Sequence, residues 1–238
     1  MTERIDYRGE GLTPEQVPAE PWPLVRAWVD LAEERQREHG DLREPHLITI
    51  ATVDADGMPD ARGVLMRFLD PRGPGFVSST SSAKAAHLEA NPVMAGVLTW
   101  VPLFRAIRFR GRAARIAAEE VDRYWTERPW GSQIGAWASR QSHPVASRGE
   151  LEAAFDRYAV RWPEDGSAGP VPPPEDWAGW RIDCTSVEFW AMLLGSLAYL
   201  AYRFDWPELL IAGIIGAYGI YCLALKEKLP VYASHPDV

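Results

Sequence analysis

The chain has 238 residues, enough for one large or two small domains whose core needs no metal or disulfide support. Its 25 Lys and Arg against 33 Asp and Glu give a net charge of -8, which argues against a broad nucleic-acid-binding surface but not against a local anion pocket. The two cysteines, Cys184 and Cys222, lie far apart and outside any metal-ligand spacing, so the expected setting is a reducing, cytoplasmic one without disulfides.

The N-terminus carries charges where a secretory signal needs an apolar run, so export is not expected. Residues 1–20 are polar and rich in turn formers and read as an arm. Leu24, Trp28 and Leu31 then recur at i, i+4 and i+7, which predicts an amphipathic helix ending near Gly40. From Leu47 the period changes. A β-branched run to Val53, a turn at Asp54–Gly57 and a second strand from Ala61 to Leu69 predict a hairpin. Asp70–Gly75 forms the next turn, before a short strand at Phe76. Ser82–Ala90 predicts a helix stopped by Asn91 and Pro92. Val93–Trp100 and Arg105–Arg115 predict another strand pair, and such short meandering strands favour a closed or nearly closed antiparallel barrel. Helices return at Glu119–Glu127 and Arg148–Arg161, around a motif-rich stretch from Arg128 to Ser147. The Pro-rich residues 163–176 read as a stiff, solvated linker.

Among groups that carry chemistry, the five histidines are scattered and show no catalytic or metal-binding spacing. There is no glycine-rich strand-to-helix phosphate loop, so side chains must supply charge to any phosphate. Arg62 and Arg67 share a predicted strand, and five-residue separation places them on opposite faces of a regular pleat, able to address two different anions. Ser82 and Lys84 open a helix, where backbone N–H groups, the helix dipole and a lysine suit a phosphate; a serine cap followed by a solvated lysine is the plainer alternative. Tyr124, Arg128 and Ser132, spaced by four across Pro129, form a second candidate phosphate clamp, with surface decoration as the alternative.

These signals converge in one string. Ser132–Ser142 reads Ser-Gln-Ile-Gly-Ala-Trp-Ala-Ser-Arg-Gln-Ser and continues to Ala146-Ser147-Arg148. It resembles the signature of pyridoxine/pyridoxamine 5'-phosphate oxidases. The resemblance extends to Tyr7, Gly11 and Leu12, Ala51–Gly57, Arg62–Arg67, Ser82–Lys84, Tyr124 with Arg128 and Pro129, Trp177–Arg181, and Val187–Trp190, about four-fifths of the chain. It implies an α+β fold, mainly β with helices: an FMN-binding split β-barrel forming a homodimer with flavin sites at the subunit interface. In this reading residues 1–45 are an arm and helix, 46–190 the barrel domain with helical insertions, and 191–238 an atypical apolar C-terminal segment.

By matching positions, the resemblance implies that Arg62, Val64, Leu65, Arg67, Ser82 and Lys84 bind FMN. Gln141, Ser142 and Trp190 complete that site, some of them from the partner subunit. Arg4, Tyr7, Arg67, Tyr124, Arg128 and Ser132 hold a phosphorylated pyridine substrate, a B6 vitamer. The implied reaction oxidises pyridoxine or pyridoxamine 5'-phosphate to pyridoxal 5'-phosphate with hydride transfer to the flavin, molecular oxygen as final acceptor and hydrogen peroxide as product. No catalytic side chain is assigned, since a flavin carries such chemistry and the protein positions the substrate.

The chain departs from the family pattern in three places. Arg67 stands where the family usually has Lys, and Ala106 where it has Gln. The Arg-x-His-Asp-Arg segment expected after Trp190 is replaced in register by Ser196-Leu-Ala-Tyr-Leu200, and a three-residue shift restores only its last arginine, as Arg203. The resemblance therefore supports flavin binding more directly than vitamer turnover. It leaves room for a flavin oxidase or reductase acting on another aromatic, as in phenazine biosynthesis, or for a non-catalytic vitamer- or flavin-binding protein. Beyond Arg203 the 17 uncharged residues from Leu209 to Leu225 just reach the ~17–25 that span a bilayer. A membrane-attached helical hairpin, a buried helix or strand pair, and a tail foreign to the family are the three readings, with burial favoured over membrane contact.

Overall fold

The computed structural model of the chain describes residues 18–193, 196–203, 209–216 and 219–224, with side chains described up to Ala191. Helix α1 (Pro21–His39) begins on proline, whose missing N–H costs nothing at a helix start, and stops where Gly40 takes a left-handed φ of 67°. Its apolar stripe of Leu24, Val25, Trp28, Val29 and Ala32 is buried against the sheet. There Trp28 meets Phe189 edge-on, with ring centroids 5.2 Å apart.

Strands β1 (Leu47–Val53) and β2 (Pro59–Leu65) form the predicted hairpin, whose turn is fastened by Asp54 Oδ1 accepting from the amides of Asp56 and Met58. The second strand is shorter than its sequence pattern. After Leu65 the chain leaves the β1 ladder: Met66 N–H donates to His46 O, and Arg67 N–H donates to Gly75 O at 2.8 Å. Arg67 therefore sits at a strand break, not on the regular pleat expected of it. Strands β3 (Phe68–Asp70) and β4 (Gly73–Ser79) follow, then helix α2 (Ala83–Ala90) and strands β5 (Val93–Trp100) and β6 (Arg105–Arg115). Helices α3 (Ala118–Glu127), α4 (Trp130–Ala138) and α5 (Arg148–Arg161) precede β7 (Trp177–Leu193). The motif-rich stretch after Arg128 thus holds a helix of its own.

β7 organises the sheet. Its 17 residues pair with β6 along one edge and, on the other, with β4 through Trp177–Arg181 and with the strand Ser196–Arg203 (β8) through Ser186–Leu193. Every pairing is antiparallel, and β2-β1-β5-β6-β7-β4 curls until the Arg67 to Gly75 bond draws the end of β2 onto β4. The result is a half-barrel filled by Ile48, Ile50, Phe76, Leu98, Trp100, Ile107, Phe109, Val187 and Phe189. Curvature is aided by a register shift at Arg110/Gly111, where a side chain is excluded because a Cβ would lie 1.9 Å from the Asp183 carbonyl oxygen.

Two readings are refined. Residues 163–176 are largely exposed, as expected of a solvated linker, but are tied to the fold at two points. Val171 and Pro174 are buried, and the carbonyls of Val171 and Pro172 accept the indole N–H groups of Trp125 and Trp137, each at 2.8 Å. A proline-rich strand of chain offers free carbonyls, and buried indoles need acceptors. At the C-terminus the described residues are strands, not the helices of a membrane hairpin: β8, then Leu209–Gly216 (β9) and Gly219–Ala224 (β10), extend the sheet beyond β7. Among the described residues no helix is long and apolar enough to cross a membrane.

One ion-pair network fixes α3 to the barrel. The buried Arg181 guanidinium donates to Asp70 at 3.1 Å and to Glu120 at 3.0 Å, and Arg72 bridges the same two carboxylates. Burial works to raise the Asp70 carboxyl, but hydrogen bonds from Arg72 and the charges of Arg181 and Arg72 outweigh it and hold the group below its ordinary value. The folded value lies below the unfolded one, so this stabilisation is complete above about pH 4 and is lost as pH falls through the folded value. Thermal melts between pH 5 and pH 3 are expected to show a steeper loss for the wild type than for Asp70→Asn, which starts less stable.

Candidate functional site

Where β4 runs into α2, the turn Thr80–Ser82 exposes the helix N-terminus. Ser82 does not cap it. Its side chain is fully buried and donates to Ser79 O at 2.8 Å, while the Ala83 amide is met by Ser142 Oγ at 3.1 Å. Ser142 reaches that position from a left-handed φ of 64°. Gln141 beside it accepts from Ser78 Oγ at 2.7 Å and from Lys84 Nζ at 3.0 Å; Lys84 also donates to Ser78 Oγ at 2.9 Å.

The acceptors around this ammonium are thus a hydroxyl and an amide, neither of them charged. Burial, followed by the nearby charge of Arg62, pushes Lys84 below its ordinary value. Arg62 faces inward from β2, bonded to Thr52 Oγ1 at 2.5 Å and paired with the Asp60 carboxylate. Thr52 in turn meets His87 Nδ1 at 3.0 Å. The corner is cationic and incompletely neutralised, at a helix N-terminus, which is an arrangement that favours a bound anion.

A second cationic corner lies across the cavity. Arg128 leaves the C-terminus of α3 and donates through Nη1 to Tyr124 Oη at 3.1 Å and through Nη2 to the Ser132 carbonyl at 2.9 Å. Ser132 therefore serves Arg128 through its main chain. The guanidinium lies 4.9 Å from the Trp177 ring centroid and 5.7 Å from those of Tyr124 and Trp125.

Between the corners is a cavity of about 440 Å³. Val64, Leu65 and Arg67 line it from β2 and the strand break, Lys84 and Gln141 from the first corner, and Tyr124, Arg128 and Ser132 from the second. Arg67 also borders a smaller cavity of about 270 Å³ with Arg26 and His46.

Four expected site residues lie elsewhere. Arg62, Ser82 and Ser142 sit behind the cavity wall and shape the α2 corner from there, because their side chains are already spent on Thr52, Ser79 and Ala83. Trp190 lies opposite Ala106 and alternates with the buried Phe189 and Ala191, so strand parity turns it to the other face of the sheet. Arg4 and Tyr7 fall outside the described residues. Among the residues not anticipated as site residues, Ser78, Glu127 and Trp177 also line the cavity. Trp177 was visible in the string Trp177–Arg181, but nothing local marks Ser78 or Glu127 as cavity residues.

A half-barrel whose helix-bearing rim encloses a cation-lined cavity belongs to the split-barrel class. PhzG of Burkholderia lata, solved in complex with tetrahydrophenazine-1-carboxylic acid, shares this fold with a TM-score of 0.73 at 23% identity, covering 93% of this chain and 100% of that one. A pyridoxamine 5'-phosphate oxidase-related, FMN-binding protein from Nostoc punctiforme shares it with a TM-score of 0.62 at 16% identity, over 84% of this chain and 100% of that one.

Sequence is more specific. Residues 34–161 match the family model described as pyridoxamine 5'-phosphate oxidase. The chain is 41% identical to the pyridoxine/pyridoxamine 5'-phosphate oxidase of Streptomyces avermitilis over 79% of its own length and 82% of the relative's. It is 40% identical to the Pseudomonas fluorescens protein of the same name over 85% and 93%. The chain belongs to the pyridoxine/pyridoxamine 5'-phosphate oxidase family, and the family points to flavin-binding, oxidoreductase-like proteins.

Proposed function

We propose that this protein is an FMN-dependent oxidase that converts pyridoxine or pyridoxamine 5'-phosphate to pyridoxal 5'-phosphate. The observation that carries the reading is a single cavity with two cationic corners, Lys84 with Arg62 behind it and Arg128 with Tyr124 and Ser132, and Arg67 on the wall from the strand break. Two anions suit this arrangement, and a cofactor phosphate and a substrate phosphate are two such anions. The residues fit FMN: the α2 corner offers a helix N-terminus and a half-buried ammonium whose acceptors are neutral.

FMN, when bound, supplies the two-electron redox chemistry that side chains lack. The chain's own residues bind and orient. Lys84 holds the cofactor phosphate and Arg62 adds its positive charge from behind the wall, with Ser82, Ser142 and Gln141 keeping the turn and the lysine in place. Val64, Leu65 and Arg67 form the adjacent wall. Arg67, Tyr124, Arg128 and Ser132 hold the vitamer phosphate, so that affinity is spent on placing the 4' carbon. Arg4, Tyr7 and Trp190 belong to the same proposal. Trp190 would serve the cavity of the partner in a homodimer, joined through the sheet face on which Leu47 and Val93 are exposed. Oxygen is the proposed final acceptor and the cytoplasm the proposed location.

A second reading keeps the flavin and replaces the vitamer by another aromatic. It is favoured by Glu127, an acidic residue that lines the cavity next in sequence to Arg128, since a negative charge there opposes a phosphate dianion. The deciding assay uses purified full-length protein reconstituted with FMN. Yellow protein that releases peroxide with pyridoxine 5'-phosphate supports the first reading, and yellow but inert protein the second. Protein that takes up no FMN overturns both.

A further inference from the structure

We propose that Trp177 is a positioning residue for Arg128, holding the guanidinium by its π face so that two N–H groups remain aimed at an anion. This inference rests on the reading of Arg128 as the substrate-phosphate clamp. An arginine has five N–H donors. In Arg128 one Nη1 hydrogen goes to Tyr124 and one Nη2 hydrogen to the Ser132 carbonyl, while Nε is buried without a hydrogen-bond partner. One hydrogen on each terminal nitrogen is left, the number of donors that a bidentate phosphate contact needs.

The two hydrogen bonds hold the Nη ends and leave Nε without an acceptor. The aromatic rings supply the remaining contacts. The guanidinium carbon lies 4.9 Å from the Trp177 centroid, nearer than the 5.7 Å to Tyr124 and Trp125, and within the range where a ring's negative face attracts a cation.

Trp177 also differs from its aromatic neighbours. The indoles of Trp125, Trp130 and Trp137 each donate to a main-chain carbonyl at 2.8 Å, as structural tryptophans do. The Trp177 indole N–H is buried with no acceptor, although the ring packs edge-on against Trp125 with centroids 5.2 Å apart. Its placement forgoes a hydrogen bond and retains the contact with Arg128. The backbone around it is held independently: the Trp177 amide donates to Pro174 O, and Asp176 accepts from Ser79 and Ser81 on the β4–α2 turn. The same two residues of the chain therefore brace both corners of the cavity.

The test uses full-length holoprotein and two anionic probes, pyridoxal 5'-phosphate and inorganic pyrophosphate. Trp177→Leu and Trp177→Met should each weaken the probe about tenfold, Trp177→Phe by less, because benzene has a weaker quadrupole than indole. FMN affinity should be unchanged in all three. In an Arg128→Ala background Trp177→Leu should cause no further loss. Equal losses in both backgrounds, an order set by side-chain volume with Phe no better than Met, or loss of FMN alongside the probe overturns the proposal. If Trp177→Leu fails to fold, the Phe and Met variants carry the same comparison. Wild-type protein that binds pyrophosphate but not the vitamer counts against the proposed function alone, and positioning is then judged on pyrophosphate. Wild-type protein that binds neither overturns both.

Discussion

Arg128→Ala is expected to weaken binding of pyridoxal 5'-phosphate by about a hundredfold or more while leaving FMN bound. A hydrogen bond to a charged group is worth roughly 1.5–3 kcal/mol, and the fork makes two; ~1.4 kcal/mol is a factor of ten. The loss should fall on substrate affinity because Arg128 stands across the cavity from Lys84, and α3 is anchored by Arg181 and Glu120 whether or not Arg128 is present. Equilibrium titration of the vitamer, with flavin absorbance recorded in parallel, checks it. Release of flavin in this variant would assign Arg128 to the cofactor instead.

The second large effect is at Lys84. Lys84→Met should lower FMN affinity by roughly two orders of magnitude, for the same energetic reason, and shrink the rise in melting temperature expected from FMN at a given concentration. The sign with pH follows from the lysine's depressed value, caused by burial and by Arg62. With the folded value below the unfolded one, the charged ammonium costs the apoprotein stability at neutral pH, and that cost is relieved as pH rises through the folded value. An anion reverses the balance by favouring the charged form. FMN affinity should therefore fall as alkaline pH removes the proton, and that fall should be missing in Lys84→Met. Melting curves with and without FMN, taken across the alkaline range, measure both effects.

The elements and the cavity were legible to different degrees. Helix α1 was readable because its apolar spacing and its stop at Gly40 are local. The hairpin of β1 and β2 was readable for the same reason, with its turn residues Asp54 and Gly57 in plain view. The cavity-lining Lys84, Arg67, Tyr124 and Arg128 were picked out by residue type and spacing, and the long Ser132–Ser142 string named their family.

Contacts between segments distant in the chain were not legible. The break after Leu65 that frees Arg67 depends on acceptors at His46 and Gly75, which no local pattern announces. The anchoring of the Pro-rich segment was not readable because its indole partners lie on α3 and α4. Ser142 capping α2 across 59 residues, and Trp177 beneath Arg128, arise only when the sheet has curled and β7 has taken its place. Hydropathy likewise could not tell strand from helix in the apolar tail, where the described residues instead continue the ladder from β7. Periodicity and residue chemistry thus decided the elements and the cations that line the cavity. Which donors those cations keep free was decided by tertiary packing, because a guanidinium or an ammonium is defined less by its own sequence neighbours than by the acceptors and rings that fold against it.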